Sequence, residues 1–504
     1  MNKLIIMLLI LALLFILFVA PVSAQFISKS EATKAAYNWI TLTSRFKSDH
    51  TRFVNAELGE LQELERDGKL IGYFFQIKPR GYIVVALRKE LTPIKFFSVS
   101  DYIDPDCEIE MVDLIKKRQL YIRQVIEDSI GPIESADPAK TRKLFNNSDY
   151  GEMWQRLTVD TAVFESQINN WLGRDDYDEG DVLLTSSWHQ REPYNDQCPD
   201  MGCNWYCNSN NNARVGCVAT AAAQIMNYWK WPPYGRGAPY DDPYDWINMP
   251  DNFLGCVWDP DEVDAVSELC HEIGVCVGMD YGCGGSGAAT DDMDDVYNTQ
   301  FVYTNPNIAY LLYTPVQEWI ELLISQFNDN RPVHYGMHGH SFVADGWLIT
   351  GETLYWHVNM GWGGSTNVEC SEWDSYTSSN TWIACDDIPC SNQMFEYVLT
   401  RIVPEGNLEN ELSGTYPIPD PTMIPFRYFN RDAHTTGNTT FESGQGLQFL
   451  PNVEVSAVNG YTIRFEGQTA DPILLFTKGD RTRGIEIKNG GVVEVLSGNA
   501  IKLY

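Results

Sequence analysis

Positive charge is scarce in this 504-residue chain: 36 lysines and arginines face 68 aspartates and glutamates, a formal net charge of −32. A surface so acidic repels phosphate backbones and anionic lipid, which argues against nucleic-acid binding and leaves solubility as the plainer role of the charge. Long apolar runs are also missing, because no segment after residue 20 is of membrane-spanning length. Wholesale disorder is not indicated either, since 44% of the residues are hydrophobic and 12% aromatic. What remains is an acidic globular chain too long for one core, with about three domains expected from its size.

The N-terminus carries its own pattern. Lys3 precedes an unbroken apolar run from Leu4 to Ala20, followed by Pro21-Val22-Ser23-Ala24. A basic start, an apolar stretch and a small-residue site describe a secretory signal peptide over residues 1–24, with an uncleaved anchor as the competing expectation. Twelve cysteines in an exported chain predict a disulfide framework. Setting Cys107 and Cys217 apart leaves Cys198, Cys203, Cys207, Cys256, Cys270, Cys276, Cys283, Cys370, Cys385 and Cys390, an even set whose connectivity spacing does not decide.

Ser28-x-x-Glu31 is a capping-box pattern opening a helix with Ala32, Ala35, Ala36, Trp39 and Ile40 on one face. Strands are expected at 73–77 and 82–87 around Pro79-Arg80-Gly81, another at 94–99, and an amphipathic helix over 112–126. This is an α+β unit ending near Asn147. The acidic stretch 173–181 then reads as an exposed linker. Pro404 and the proline-rich 417–425 mark a second boundary. Beyond it, short alternating pieces such as Val453/Val455, Ile463/Phe465 and Val493/Val495 predict an all-β appendage, either a small sandwich or stacked rungs. It holds no exact repeat and no catalytic constellation.

The chemistry lies between. In the segment 216–229, Val218, Ala221, Ala222, Ile225, Met226 and Trp229 fall on one helical face, with Cys217 in the first turn. There the helix dipole and unpaired N–H groups favour a thiolate and offer donors to an oxyanion. A thiolate needs a proton partner, and His340 opens an alternating strand that turns at Thr350-Gly351-Glu352 into a second, 353–358. Asn359 follows that strand and is expected to accept from the imidazole, with Trp362 covering the contact. Gln190, in a polar loop before the nucleophile, is a candidate second oxyanion donor.

These segments resemble the streptopain family. Val215-Gly-Cys-Val-Ala-Thr-Ala-Ala-Ala-Gln-Ile-Met-Asn-Tyr228 and Gly339-His-Ser-Phe-Val-Ala-Asp-Gly346 look like its two catalytic motifs. His357-Val-Asn-Met-Gly-Trp-Gly-Gly364, Val277-Gly-Met-Asp-Tyr-Gly282 with its glycine-rich loop, and Trp188-His-Gln-Arg-Glu-Pro-Tyr-Asn195 are similar too. The early unit resembles the family's inhibitory propeptide through Gly72-Tyr-Phe-Phe-Gln-Ile77 and Gly81-Tyr-Ile-Val-Val-Ala86. The resemblance implies a papain-like α+β fold, a Cys217–His340 dyad supported by Asn359 and Trp362, endopeptidase action on proteins, and a propeptide removed on activation. The expected division is 1–24 signal, 25–172 propeptide, 173–403 peptidase domain and 404–504 appendage. Two departures stand out: Met360 replaces a tryptophan of the family, and the cysteines are numerous, with Cys283 in the loop expected to border the substrate cleft.

A metal hydrolase and a non-catalytic binding protein are the rival readings. His334, His338 and His340 lie close together, but no acidic residue stands at metal-ligand spacing around them. Cys198, Cys203 and Cys207 offer a structural zinc site, which export disfavours relative to disulfides. A cell-surface binding protein on a dead peptidase scaffold would have lost the nucleophile or the base, and both are present. No cofactor or metal is expected; protein substrates and the chain's own propeptide are the expected partners, with an unknown ligand for the appendage.

Overall fold

The computed structural model describes residues 26–106, 110–145, 149–172, 177–203, 211–232, 235, 242–254, 257–304, 306–337, 339–351, 353–363, 379–385, 396–404, 411–416, 426–429, 432–442, 446–449, 455–465, 474–477, 485–487 and 492–495. The expected signal peptide, His338, Glu352, Gly364, Cys107, Cys207, Cys256, Cys370 and Cys390 lie outside the described residues.

In chain order the N-terminal elements are α1 (Lys29–Thr43), β1 (Glu57–Arg66), β2 (Lys69–Lys78), β3 (Tyr82–Val85), β4 (Ile94–Ser98), α2 (Glu110–Ser129), α3 (Pro138–Leu144), α4 (Gly151–Leu157), α5 (Thr161–Leu172) and β5 (Tyr177–Glu179). Then come α6 (Cys217–Trp229), α7 (Pro260–Cys276), α8 (Met293–Thr299), β6 (Asn307–Tyr310), α9 (Val316–Asn328), β7 (Val333–Met337), β8 (His340–Thr350), β9 (Thr353–Asn359), β10 (Thr381–Ala384) and β11 (Tyr397–Thr400). The chain forms two compact units that are interleaved in sequence. One holds the residues up to Glu179 with Leu348–Trp356 and Asn380–Gln393; the other holds Gly180–Trp347, His357–Ser379 and Met394–Tyr504.

In the first unit the capping box forms as expected, with Ser28 Oγ accepting from Glu31 N at 3.2 Å and the Glu31 carboxylate accepting from Ser28 N at 3.0 Å. The helix it starts buries Ala32, Ala35, Ala36, Trp39 and Ile40. Strands β1 to β4 form an antiparallel meander. In its β2–β3 turn Gly81 has φ 108°, and a Cβ there would lie 2.5 Å from Ser98 O, so the turn needs glycine. Phe97 of β4 is the aromatic hub. Trp39 meets it edge-on at 5.3 Å and Trp382 of β10 stacks on it at 5.9 Å, where β10 pairs antiparallel with β4.

The unit does not stop near Asn147. Helices α4 and α5 follow, Trp154 is buried with its indole N–H on Leu91 O (2.8 Å), and β5 pairs antiparallel with the end of β8. The stretch read as an exposed linker therefore contains a paired strand. Its Glu179 carboxylate accepts from Ser48 N (3.1 Å) and Thr51 Oγ1 (3.0 Å). The periodicity of three residues is too short to signal a strand, which is why the acidic composition misled.

In the second unit α6 is buried almost all round, from Val218 to Trp229, as its alanine-rich sequence permits. Strand β7 pairs antiparallel with β8 and with β11, and β11 with β6. Between β8 and β9, in the 348–356 stretch that belongs to the first unit, Gly351 has φ 58° and the two strands are neighbours in the sheet, so the expected hairpin forms.

The appendage comprises β12 (Glu411–Tyr416), β13 (Phe426–Phe429), β14 (Ala433–Phe441), β15 (Gly446–Phe449), β16 (Val455–Ala457), β17 (Thr462–Phe465), β18 (Leu474–Thr477), β19 (Ile485–Ile487) and β20 (Val492–Val495). Every pairing described among them is parallel. Tyr428 pairs with Gln448 and Gln448 with Phe476; Thr440 pairs with Arg464 and Arg464 with Glu494. A chain that returns to the same place about every 20–30 residues builds stacked rungs. A sandwich would need antiparallel neighbours, so of the two expected architectures the rungs are the one formed.

Candidate active site

Cys217 is the first residue of α6, and its predecessor Gly216 has φ 92°. A Cβ on Gly216 would lie 2.6 Å from Met279 Sδ, so glycine is needed both for the backbone angle and for the close approach of that side chain. The residue keeps some exposure, but its sulfur is sunk deep enough that burial pushes the thiol pKa up. Hydrogen bonds from the backbone of Ser341, Val218 and Cys217 itself pull the other way. The helix-start effect expected from the sequence is present, and burial outweighs it. Ser341 is the residue after His340, so the thiol reaches the start of β8.

His340 is buried, and its Nε2 lies 2.9 Å from the carbonyl oxygen of Met360. A carbonyl only accepts, so Nε2 carries the hydrogen and Nδ1 is left with its lone pair. Burial pulls the imidazole pKa down to about 4, against the Met360 carbonyl, which raises it. Trp362 stacks on the ring with centroids 4.0 Å apart and planes 22° from parallel. Burial thus disfavours the charged form of both the thiol and the imidazole. Moving one proton between them separates charge without changing the net charge of the site.

The acceptor differs from expectation. Asn359 does not hold the imidazole; its side chain turns to Gln224 of α6. Asn359 Nδ2 donates to Gln224 Oε1 (2.8 Å) and Ser186 O (2.8 Å), Gln224 Nε2 donates to Asn359 Oδ1 (3.3 Å), and Gly361 N donates to the same oxygen (3.1 Å). Asn359 therefore shapes the 359–362 turn, which presents the Met360 carbonyl to His340. Met360 itself is fully buried, and its contact with the imidazole is a backbone one. Gly361 (φ 64°) completes the turn, and a Cβ there would press Thr220 Cγ2 at 3.0 Å.

Gln190 joins the same assembly. Its Nε2 donates to Gly361 O at 3.5 Å and its main-chain carbonyl accepts from Val215 N at 3.0 Å, so it bridges the segment leading into α6 and the 359–362 turn. Two residues escaped the sequence reading. Gln224 Oε1 also accepts from Trp188 N (3.0 Å) and Ser186 Oγ (3.3 Å); its place within the same 14-residue motif as Cys217 was the available signal. Asp345, buried, accepts from His357 Nδ1 at 2.6 Å and from Leu184 N at 2.8 Å.

The metal readings meet specific obstacles. His334 is buried, with Nε2 2.7 Å from Ser341 Oγ and Nδ1 3.2 Å from Tyr297 Oη, so both its nitrogens are engaged within the core. Cys203 is bonded to Cys283 and has no thiolate to offer zinc. Cys198 and Cys270 are buried thiols, so the even cysteine set is not wholly paired.

A thiol at a helix start, an imidazole with one tautomer imposed and an indole over its face define a thiol hydrolase of the papain-like class. Comparison with known proteins narrows this. Residues 188–368 match the model of the Peptidase C10 family. The chain is 26% identical over 369 residues to the thiol protease/hemagglutinin PrtT of Porphyromonas gingivalis, covering 68% of this chain and 38% of that protein, well under half its length. It is 24% identical over 367 residues to streptopain of Streptococcus pyogenes, covering 67% of this chain and 82% of streptopain. Among solved structures, a prointerpain A fragment from Prevotella intermedia aligns with a TM-score of 0.48 and 22% identity, over 69% of this chain and 99% of that one. Active interpain A aligns at 0.32 with 29% identity, over 42% and 96%. The segment matched to this family is the one that carries Cys217 and His340, and the similarity is to cysteine peptidases.

Proposed function

We propose that the protein is the zymogen of an exported cysteine endopeptidase, with residues 1–24 directing export, 25–172 inhibiting, 173–403 catalysing and 404–504 forming an appendage for a ligand not yet known. The observation that carries the reading is the state of His340: Nε2–H on the Met360 carbonyl, Nδ1 open, and Trp362 over the ring. No helix among the described residues is long and apolar enough to cross a membrane.

The reaction is acyl transfer. Cys217 Sγ attacks the peptide carbonyl carbon as its proton passes to His340 Nδ1. The oxyanion is held by the backbone N–H at the start of α6 and by the second amide hydrogen of Gln190. His340 gives its proton to the amine as the C–N bond breaks, then draws a proton from water, which releases the acid and restores the thiol. Asn359 and Trp362 hold the geometry and exclude water.

The test is Cys217→Ala, with a thiol-reactive affinity label on the parent chain and the modified residue located by mass spectrometry. Label on Cys217, together with loss of casein digestion and self-maturation in the variant, is expected. A variant that still digests casein and still loses its propeptide refutes the assignment. A non-catalytic binding protein would leave Cys217 unlabelled.

A further inference from the structure

The loop 282–287 beside the nucleophile is fastened in two different ways. Its base is a pair of backbone hydrogen bonds between Asp280 and Gly287, 2.9 and 3.0 Å long. One flank is tied to Arg214, three residues before Cys217: Ser286 Oγ donates to Arg214 O (2.6 Å), Arg214 Nε to Cys283 O (3.0 Å) and Arg214 N to Gly282 O (3.3 Å). Ser286 O also stands 3.2 Å from where a Cβ on Gly216 would be, which brings the loop against the nucleophile's own turn. The other fastening is covalent, because Cys283 is joined to the buried Cys203 across 80 residues. Cys203 is in turn set by its N–H on Asn211 O at 3.0 Å.

Between these ties sit Gly284 and Gly285, both exposed, each with open space where a side chain would be. Glycines have the most backbone freedom to lose, so hydrogen bonds along one flank do not by themselves hold such a tip in one place. The disulfide does.

We propose, building on the peptidase reading, that the Cys203–Cys283 disulfide is a specificity-determining tether. It holds the 282–287 loop as a ready wall for a bound peptide, so peptide binding depends on this bond being oxidised while the chemistry of Cys217 does not. The site then has opposite redox needs within one loop and the adjoining helix: a free thiol at Cys217 and a bonded pair at Cys203 and Cys283. A dithiol reductant breaks the S–S bond by delivering two electrons and two protons, leaving thiols at Cys203 and Cys283 and itself becoming a cyclic disulfide. The freed loop must then be ordered by the peptide each time it binds, which weakens binding.

Two alkylating reagents test this on the protein after it has matured. Iodoacetamide labelling read at Cys217 by mass spectrometry reports that thiol without the wall; a peptidyl chloromethyl ketone reports Cys217 and the peptide wall together. Both rates are measured across a dithiothreitol series, with mass spectrometry counting the thiols exposed at Cys203 and Cys283, and again on the double variant Cys203→Ser, Cys283→Ser. Opening the bond is expected to slow the peptidyl reagent about tenfold while the iodoacetamide rate changes less than about twofold. The double variant should start slow and show no further fall with reductant. Equal losses with both reagents would mean the bond merely supports the fold, and no loss with either would mean the loop is held without it; each overturns the tether. If the double variant fails to fold, the reductant series on the parent chain decides alone. Failure of both reagents to label Cys217 in the oxidised parent would instead overturn the peptidase reading, and the tether with it.

Discussion

Gln224 offers the sharpest test of how the site is built, because it touches neither the thiol nor the imidazole. It is fully buried and accepts from Trp188 N, Asn359 Nδ2 and Ser186 Oγ while donating to Asn359 Oδ1. In Gln224→Met the volume is kept and the hydrogen bonds are not. Asn359 retains Ser186 O and Gly361 N, whereas the Trp188 N–H loses the acceptor described for it. One stranded buried donor and a half-paired amide cost roughly 3 kcal/mol of stability. The loosened 359–362 turn lets the Met360 carbonyl drift from His340, and a displacement on the order of 1 Å costs up to about a hundredfold in rate. Urea unfolding measures the first effect, and kcat/KM on a peptide substrate with Cys217 labelling measures the second. A variant within about 0.5 kcal/mol of the parent, with unchanged labelling, would refute the argument that this amide pair sets the turn.

Other outcomes follow from the same geometry. Trp362→Ala removes the indole stacked on His340 and should lower kcat/KM about tenfold with little change in KM, since aromatic stacking contributes about 1 kcal/mol and the ring also keeps water off. Phe97→Ala empties the hub between Trp39 and Trp382 and should cost about 3–4 kcal/mol, read as faster release of the N-terminal segment when maturation is followed on a gel. Glu268 and Glu272 lie with Asp242 in one carboxylate cluster, and burial, helped by the like charges, raises both pKa values to about 7. The folded state therefore binds more protons than the unfolded chain between the ordinary glutamate range and about 7, so the cluster favours folding at low pH and that contribution is lost as pH rises through about 7. Buried His189, His334 and His340, whose pKa values burial pulls down, act in the opposite sense over the same range, so the readout is the difference between parent and Glu268→Gln: relative to the variant, the parent's Tm should fall as pH rises from about 5 to about 7, and a difference that does not change with pH would contradict it.

Local signals were readable wherever one turn of chain carries the information. The capping box at Ser28, the helix start at Cys217 and the Gly351 turn all depend on neighbours within a few residues, and each forms where expected. Composition was a poorer guide. The acidic 173–181 stretch looked solvated, yet β5 is held by a strand more than 160 residues away in sequence, and no local pattern announces such a partner.

From the amino acids alone came the candidate nucleophile Cys217, the candidate base His340, the residues of the turn around them and the class of chemistry, because motif spacing and helical periodicity are properties of the chain itself. Only tertiary structure decided who holds whom. Asn359 and Met360 are adjacent in sequence, and which of them meets His340 depends on the buried side chain of Gln224, on another element, capturing the asparagine. The same holds for Cys203 choosing Cys283 and for rungs rather than a sandwich after residue 411. Hydrogen bonds and disulfides form over about 2–3 Å, a tolerance that residue type does not encode and that only the packed backbone sets.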